Sequence, residues 1–557
     1  MKKSLLFAVV AVVLSACATK ENPYTSELVP ERTLDGKYRI YVSMPEFETV
    51  DASKAAISDA GAFSWTAGDL IDVVYSKGGS PDEVHTFECT NASTGAFEFD
   101  GPVSDGYAIS GAYYPSGYNG TPSAQHFASR ADAAKGFQMH ATVSAGKLAF
   151  VHDNAMFSVQ IQNVPLLAKT VWVNGASVDI TSETGNVDIR IPVIPAASAK
   201  LGIGVTDAAW DAGSHNDLIS KNSEKSAAIE AAKFYNLNDL VLTPEVHFLS
   251  GGTGWDVVDG NIIAPVANVS TKTRFAVVGG EEWFRYTVKY GALEVTYGYA
   301  AGQEYNNSNP FIPNESSSAR ISTTGLYTIA FNVLTGAYTV TKTGDVTMRL
   351  VGINDEWDLT SGSNPTMTNV FGHVWMWKGQ STTTTYKAYV DGETSWNENS
   401  FGAQGDGWWD SNIVRGTSSY NAGMGSNYQV VIALDFDFNP WFLTVGSASS
   451  LSYVKLRTNL NGIDWDTEKD IALTQHATFP NLFYLENFVV TSEGQFIPYD
   501  NNGSWWGVSD SAYSNMVSNP KAKLTSSGGK NMLLPVGTYN IYFSALNAKT
   551  ITVIKLD

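Results

Sequence analysis

Three stretches of similar pattern lie about a hundred residues apart in the second half of the chain, and they constrain the fold more than any other feature. Each is an alternating strand, a short turn and a second alternating strand, which is the pattern of a β-hairpin; they are residues 325–340, 427–445 and 537–553. Their leading tyrosines, Tyr327, Tyr428 and Tyr539, are 101 and 111 positions apart. A period of that length corresponds to one β-sandwich domain rather than to one unit of a solenoid.

The amino-acid composition agrees with a chain of several folded β domains. Of the 557 residues, 43% are hydrophobic and 12% are aromatic, so the chain can bury several cores. Long amphipathic helical patterns are scarce, and residues 223–233, which have helix-forming composition, predict a short surface helix or a loop. The sequence therefore predicts an all-β fold of tandem β-sandwich domains.

The formal net charge of −20 limits the ligands that the chain can bind. Nucleic acid needs surfaces lined with Lys and Arg, so no nucleic-acid partner is expected. A polyanionic glycan would also meet an unfavourable field, whereas a neutral polysaccharide would not. Neutral glycans are therefore the expected class if the chain binds carbohydrate.

The first residues have the pattern of a bacterial export signal. Two lysines precede an apolar run, residues 5–14, which is too short to cross a bilayer. The run ends in Leu-Ser-Ala-Cys at residues 14–17, which resembles the lipobox of bacterial lipoproteins. The resemblance implies a signal peptide over residues 1–17, a lipidated Cys17 and a flexible tether over residues 18–34. The alternative is an ordinary signal cleaved after Ala16, which would leave Cys17 as a free thiol.

Two short motifs mark the region that follows the tether. The first is a strand pair around Trp65 and Asp69, and the second is a strand end around Tyr114 and Pro115. Both resemble motifs of the fimbrillin family of surface lipoproteins, and the matching residues are Phe63, Trp65, Gly68, Asp69, Ile71, Val73, Tyr107, Ala112, Tyr113, Tyr114 and Pro115. The resemblance implies a fimbrillin-like β region over residues 35–244, and Trp65 is interpreted as a core residue.

The three hairpins close stretches that also begin alike. Each begins with a strand and a turn rich in Gly or Asn, followed by Trp-Asp with the Trp at positions 255, 357 and 465. Each later ends a strand in an aromatic loop, and this order resembles the modules of the SusE/SusF family, lipoproteins of Bacteroidetes glycan-uptake systems. The resemblance implies three immunoglobulin-like or carbohydrate-binding-module-like sandwiches, named here the first, second and third modules: residues 245–344, 345–447 and 448–557.

The second module matches the family pattern best, through Trp357, Trp375, Trp377, Lys387 and Trp396. In the third module a glutamine stands where the lysine is expected, and two adjacent tryptophans fill the loop: Gln495, Trp505 and Trp506. In the first module the lysine is present but tyrosines replace the loop tryptophan: Lys289, Tyr297 and Tyr299.

Tryptophan in a polar loop is a candidate for stacking against the apolar face of a pyranose ring, whose rim carries hydroxyl groups. Amide and charged neighbours would hydrogen-bond that rim. The candidate carbohydrate-binding residues are Trp255, Lys289, Trp357, Lys387, Trp396, Asn397, Trp408, Trp409, Trp465, Trp505 and Trp506. The alternative for each tryptophan is burial in its own sandwich. Adjacent strand residues point to opposite faces, so one of each adjacent Trp pair is expected to be exposed or in a loop.

Two resemblances imply two functions. The SusE/SusF resemblance implies an outer-membrane lipoprotein, facing the cell exterior, that captures a neutral polysaccharide or oligosaccharide for a SusC/SusD-like transporter. The fimbrillin resemblance implies an adhesin or fimbrial component, and a structural spacer is a third hypothesis. Nucleophile motifs, P-loops and metal-binding His spacings are absent from the sequence, so no enzyme, cofactor or metal site is predicted.

Overall fold

The computed structural model describes residues 28–43, 45, 48–49, 64–144, 146–279, 282–300, 309–370, 374–405, 413–417, 419–423, 429–435, 441–445, 451–509, 514–518, 521–546 and 549–556. The lipidation candidate Cys17 and the loop candidates Trp408 and Trp409 lie outside these residues. The signal peptide over residues 1–17 and most of the tether lie outside them as well.

Nearly all of the regular structure is β-strand, which confirms the predicted all-β class. The one α-helix in the described ranges, α1 (Arg130–Lys135), is capped by Ser129, whose hydroxyl accepts a hydrogen bond from the Asp132 N–H. Three short 3-10 turns are Asp259–Asn261, Leu460–Gly462 and Thr467–Lys469. Among the helices that the structure describes, none is long and apolar enough to cross a membrane.

The chain divides into two compact units between Leu242 and Thr243. The strands of the first unit are β1 (Glu31–Arg32), β2 (Tyr38–Ser43), β3 (Glu48–Thr49), β4 (Leu70–Ser76), β5 (Glu83–Asn91), β6 (Ala96–Phe99), β7 (Ala108–Tyr114), β8 (His126–Phe127), β9 (Met139–Ser144), β10 (Lys147–His152), β11 (Ala155–Val164), β12 (Thr170–Val173), β13 (Ala176–Asp179), β14 (Gly185–Val193), β15 (Ala196–Ala199), β16 (Gly202–Thr206), β17 (Asp217–Asn222), β18 (Ala227–Ile229), β19 (Lys233–Asn236) and β20 (Leu240–Val241).

The first sheet of this unit closes on itself. Its order is β1-β2-β10-β9-β7-β4-β5-β6, and β2 also pairs with β6. Trp65 lies in the core that this sheet encloses, edge-on to Phe97, Tyr114 and Phe150. The other sheets described in this unit are β14-β11-β19-β3 with β20 on β11, β17-β16-β12-β13-β8, and β15-β18.

The second unit contains the three modules. The strands of the first module are β21 (Glu245–Ser250), β22 (Val269–Val277), β23 (Glu282–Tyr290), β24 (Leu293–Gly298), β25 (Ile312–Pro313), β26 (Ala319–Ile321), β27 (Gly325–Asn332) and β28 (Tyr338–Gly344). Those of the second are β29 (Met348–Val351), β30 (Thr368–Asn369), β31 (Val374–Gln380), β32 (Thr385–Val390), β33 (Ser400–Ala403), β34 (Ile413–Arg415), β35 (Ala422–Gly423), β36 (Gln429–Asp435) and β37 (Trp441–Val445). Those of the third are β38 (Val454–Thr458), β39 (Ile471–Ala472), β40 (Thr474–Gln475), β41 (Leu482–Val490), β42 (Gly494–Asp500), β43 (Gly507–Val508), β44 (Lys521–Thr525), β45 (Met532–Leu534), β46 (Gly537–Ser544) and β47 (Thr550–Lys555).

Each module has two main sheets with corresponding strands. One contains a hairpin that the sequence pattern predicts, β27-β28, β36-β37 or β46-β47. The other contains the first strand of the module paired antiparallel with a later strand, as β21-β23, β29-β32 or β38-β42. This second pairing is named the front pair, and the side of it that points away from the module core is named the outer face.

The tryptophan pair of the second module lies on the core side of its sheet. Trp375 is buried in the core cluster, and Trp377 packs against it. The Trp375 indole N–H donates to the carbonyl oxygen of Val278, in the first module, at 2.9 Å. The intervening Met376 points the other way and packs with Phe479 of the third module. The alternation of one strand therefore connects the second module to both of its neighbours.

Candidate functional site

One cross-strand position of the front pair carries a cation in all three modules. The register places Arg285 opposite Leu249 in the first module and Lys387 opposite Val351 in the second. In the third it places Arg457 opposite Ile497. Leu249, Val351 and Arg457 all lie on the first strand of their module, six, six and eight residues before the tryptophan of the Trp-Asp turn. Strand alternation puts each cation on the outer face, because the neighbouring residues point into the core.

Each of these cations lies against an indole ring. The guanidinium carbon of Arg285 is 4.9 Å from the ring centroid of Trp255, and the Lys387 Nζ is 5.1 Å from that of Trp396. The guanidinium carbon of Arg457 is 5.3 Å from the ring centroid of Trp505. Cations within about 6 Å of an indole centroid gain roughly 0.5–2 kcal/mol from the ring quadrupole. Each module thus carries a cation–indole pair on its outer face.

The cation–indole pair of the third module belongs to a row of aromatic rings. Trp505 stacks on Tyr499 with centroids 5.0 Å apart and planes 27° apart, and Tyr453 meets Tyr499 edge-on at 6.3 Å. Trp505 is 41% exposed and Tyr453 is 39% exposed. Tyr499 and Arg457 therefore support the indole, while 41% of the Trp505 surface remains exposed. The row is therefore a supported, water-facing aromatic surface.

A carboxylate holds the cation of this row in place. Arg457 forms an ion pair with Asp470, whose side chain is 3% exposed, and the Arg457 Nη2 donates to the Asp470 Oδ2 at 2.7 Å. The Tyr499 hydroxyl donates to the same oxygen at 2.5 Å. Burial raises the pKa of Asp470, but the hydrogen bonds from Arg457 and Tyr499 outweigh it, and the pKa lies below its ordinary value. Asp470 is therefore an anion that orients both the guanidinium and the phenol.

The adjacent Trp506 has a different environment from Trp505. Its indole N–H donates to the Oδ2 of Asp500 at 2.9 Å, and its ring packs against the core of the third module. Asp500 is buried. The two neighbouring indoles thus separate into one that faces water and one that packs inward.

The second module has a more closed outer face. Trp357 and Trp396 are partly buried and pack over a small cluster that contains Tyr389. Lys387 is only 9% exposed, and burial lowers the pKa of its ammonium. Within the described part of the chain Lys387 makes no ion pair, and its Nζ lies over the Trp396 ring.

Three other candidates lie apart from these pairs. Lys289 lies four residues along β23 from Arg285 and pairs with Glu245 at 3.4 Å, so the structure brings Arg285 rather than Lys289 to Trp255. Trp465 is partly buried on the turn after β38, with a φ of 59°. Asn397 donates to Glu393 Oε2 at 2.5 Å, within the loop between β32 and β33.

Sequence reasoning missed four residues of these surfaces: Arg285, Tyr453, Arg457 and Tyr499. The register shows why the cation of the third module was missed. Ile497, not Gln495, occupies the position of Lys387, and the cation comes from the opposite strand as Arg457. A linear motif cannot show such an exchange, because the cation comes from one strand in two modules and from the other strand in the third.

The fold and these faces define a class of protein: a series of β-sandwich domains, three of which present an aromatic ring with a cation on the same outer face. No protein-family model and no curated protein matches the chain. Among solved structures the chain is similar to SusF from Bacteroides thetaiotaomicron, with 12% identity and a TM-score of 0.14 over 72% of this chain and 100% of that chain. It is also similar to a fimbrial protein from Bacteroides ovatus ATCC 8483, with 13% identity and a TM-score of 0.20 over 40% of this chain and 56% of that chain. Likenesses this remote do not by themselves indicate a function.

Proposed function

We propose that the chain is a glycan-binding protein whose three modules capture a neutral polysaccharide or oligosaccharide on their outer faces. The observation that carries the proposal is the cation–indole pair at the same position of each front pair. Two of the three indoles, Trp255 and Trp505, are 41% exposed. An indole held open to water by a stacked or charged neighbour is ready to receive the apolar face of a sugar ring.

The polar groups of the third module suit the hydroxyl rim of such a ring. Arg457, whose side chain is 16% exposed, can donate to such a rim beside Trp505, and the buried Asp470 holds it in place. These two charges offset each other, and Lys455 is a further cation beside the row, with its Nζ 5.4 Å from the Tyr453 ring centroid. The net charge of −20 disfavours anionic polymers. Neutral glycans fit the overall charge of the chain.

Repetition of the site compensates for weak binding at one face. A shallow site with one stacked ring binds with about −4 to −7 kcal/mol, or roughly millimolar to tens of micromolar affinity. Several such sites engaging one polymer gain avidity of about a hundredfold or more. A chain with three corresponding faces can therefore retain a polysaccharide that each face binds only weakly.

The cellular setting is part of the proposal and is supported by the sequence pattern at residues 14–17. A lipidated Cys17 would attach the chain to the outer membrane, with the modules facing the exterior. Each buried methylene of an acyl chain adds about 0.8 kcal/mol to membrane attachment. A SusC/SusD-like transporter is the proposed recipient of the glycan, and the chain itself is proposed to bind without catalysis.

The direct test is titration of the purified chain against a panel of neutral polysaccharides, such as α-glucan, β-glucan, mannan and xylan, with polygalacturonate as the anionic comparison. We expect binding to at least one neutral polymer and weaker binding to the anionic one. A chain that unfolds cooperatively on heating but binds none of the polymers would contradict the proposal. Tight binding to polygalacturonate alone would contradict the proposal that the ligand is a neutral glycan.

The first module offers a matched pair of substitutions. We expect Arg285→Ala to weaken binding at this module about tenfold, because the cation against Trp255 is lost. Lys289→Ala should change affinity less than twofold, because Lys289 pairs with Glu245 away from the indole. Both are measured by titration in a Trp396→Ala/Trp505→Ala background. Equal effects of the two substitutions would argue against the assigned face.

The alternative of a fimbrial adhesin makes a different prediction, which is polymer formation by strand exchange. In the described structure the last strand, β47, pairs with β46 on one side and β44 on the other. Donating this strand to a second chain would require both pairings to break. The glycan-binding proposal needs no such rearrangement.

A further inference from the structure

The loop that carries Trp396 is held by a hub carboxylate. This loop, residues 391–399, connects β32 to β33, and Glu393 within it is 8% exposed. Glu393 accepts hydrogen bonds from Asn397 Nδ2 at 2.5 Å and from Asn399 Nδ2 at 3.1 Å. Glu393 precedes Trp396 in the chain, whereas both donors follow it. The carboxylate therefore joins the two sides of the loop that carries the indole.

The other partner of Glu393 comes from the first module. Arg274, on β22, donates to Glu393 Oε1 from Nε at 3.1 Å and from Nη2 at 2.9 Å. Its Nη2 also donates to the carbonyl oxygen of Asp391 at 2.8 Å, and its own carbonyl oxygen accepts from Asn399 Nδ2 at 2.9 Å. Arg274 of the first module therefore forms hydrogen bonds with both ends of the loop, at Asp391 and at Asn399.

The backbone of the first module is shaped to present this arginine. Arg274 has a φ of 52°, and the register of β22 with β27 shifts between Lys272 and Phe275. Such a bulge re-aims the side chains of a strand. A left-handed backbone at a non-glycine residue costs about 1 kcal/mol or more, so it persists only where other contacts compensate for it.

Two more ion pairs join the first and second modules beside this loop. Lys272 pairs with Glu398, and Arg415 pairs with Glu282. Arg415 also donates from Nη2 to the carbonyl oxygen of Ala276 at 2.7 Å and to Asn399 Oδ1 at 3.2 Å. The loop is thus bound along its length to the first module rather than to its own sandwich alone.

We propose that the first module positions the glycan site of the second: Arg274, acting through Glu393, fixes the loop that sets Trp396 against Lys387. Arg274 is a positioning residue and contacts neither the indole nor the proposed ligand. A loop that is fixed in advance loses less conformational freedom when a glycan binds, so we expect Arg274 to strengthen binding. This consequence rests on the proposed function. The contacts that define the positioning role do not depend on the ligand.

The first test needs no glycan. Hydrogen exchange of the amides of residues 393–399 is compared between the native chain, Arg274→Met and the isosteric Glu393→Gln. We expect both variants to exchange at least about tenfold faster in this segment, since Arg274→Met removes the guanidinium that joins the two ends of the loop and Glu393→Gln removes the charge that it pairs with. The control is Asp345→Asn, which removes the exposed Lys342–Asp345 pair and should leave the segment unchanged. Unchanged exchange in both variants would overturn the inference.

The second test measures binding with the sites separated. In a Trp255→Ala/Trp505→Ala background, which leaves the second module, Arg274→Met is expected to weaken glycan affinity about tenfold. In a Trp396→Ala background, where the other two faces remain, the same substitution should change affinity less than twofold. Arg274→Lys keeps the charge but not the paired hydrogen bonds, so its glycan affinity should lie between those of the native residue and Arg274→Met.

The two tests separate the inference from the proposed function. If the native chain binds no glycan, the proposed function fails and hydrogen exchange still decides the role of Arg274. If the second module binds but Arg274→Met binds equally well, the positioning role fails and the proposed function stands. Arg274→Met that weakens the third module as well would indicate general destabilisation and would also contradict a positioning role.

Discussion

Replacing Trp505 by Ala is expected to weaken glycan binding at the third module about 30-fold, which corresponds to roughly 2 kcal/mol. The substitution removes the exposed stacking face while leaving its support, Tyr499, in place. The folded chain loses the contacts of this ring with Tyr499 and Arg457, but Trp505 is not part of the core cluster of the third module. The measurement is titration with the best neutral glycan in a Trp255→Ala/Trp396→Ala background, alongside the midpoint of thermal unfolding.

The neighbouring tryptophan provides the control. Trp506→Phe should bind glycan within about twofold of its parent, but it should unfold at a lower temperature. It loses the hydrogen bond to Oδ2 of the buried Asp500 and part of the core packing of the third module. If Trp506→Phe lost affinity while Trp505→Ala kept it, the assignment of the two indoles would be reversed.

Replacing Arg457 by Met is expected to destabilise the third module by about 2 kcal/mol near neutral pH. The substitution leaves Asp470, with its side chain 3% exposed, without the guanidinium that compensates its charge. It also removes the cation that contacts both Trp505 and Tyr499. Glycan affinity at this module should therefore fall together with stability.

The pH dependence of this loss has a definite sign. In the native chain burial raises the pKa of Asp470, but hydrogen bonds from Arg457 and Tyr499 and the charge of Arg457 bring it below its ordinary value. The carboxylate then stabilises the fold above the unfolded pKa, and this contribution is lost as pH falls through the lowered pKa. Without Arg457 the pKa of Asp470 rises from its native value, because the hydrogen bonds and the charge of the arginine are lost while the burial remains, so the carboxylate stabilises the fold less at neutral pH.

Thermal unfolding at about pH 7.5 and at about pH 3, below the ordinary pKa of an aspartate, checks this sign. The gap in unfolding midpoint between the native chain and Arg457→Met should shrink at the lower pH. Arg457→Lys should retain part of the stability, and adding Asp470→Asn to Arg457→Met should recover part of it near neutral pH. A gap that stays constant with pH would mean that the Asp470 charge is not what Arg457 compensates.

The repeat in the second half of the chain could be predicted from the sequence, because strand alternation and turn composition depend on residues that are close together in the chain. The hairpins β27-β28 and β46-β47 lie where the alternating patterns predict them. The same rule separated Trp505 from Trp506, because adjacent residues of an extended segment face opposite ways. Composition alone was less informative at residues 223–233, where β18 pairs with β15 despite helix-forming residues. Tertiary pairing outweighs helix propensity there, since propensity differences are small per residue.

The surroundings of the candidate residues could not be read in the same way. Asn397 was a candidate for the sugar rim, and its amide instead bonds Glu393 in the loop that the first module holds. Lys289 and Arg285 are both basic and lie on the same strand, and only the register with β21 shows which one meets Trp255. Register depends on the partner strand, which lies more than thirty residues away in the chain.

The sequence by itself determined the all-β class, the hundred-residue period and the presence of aromatic rings in polar loops, because each depends on residues close together in the chain. Only the tertiary structure decided that the cation of each outer face comes from either strand of the front pair, as Lys387 in one module and Arg457 in another. It also decided that the Trp396 loop is held by Arg274 of the preceding module. The physical reason is that a cation–indole contact or a buried ion pair depends on the distance between two groups in space. A side chain on either of two paired strands can supply that distance, so no spacing along the chain specifies it.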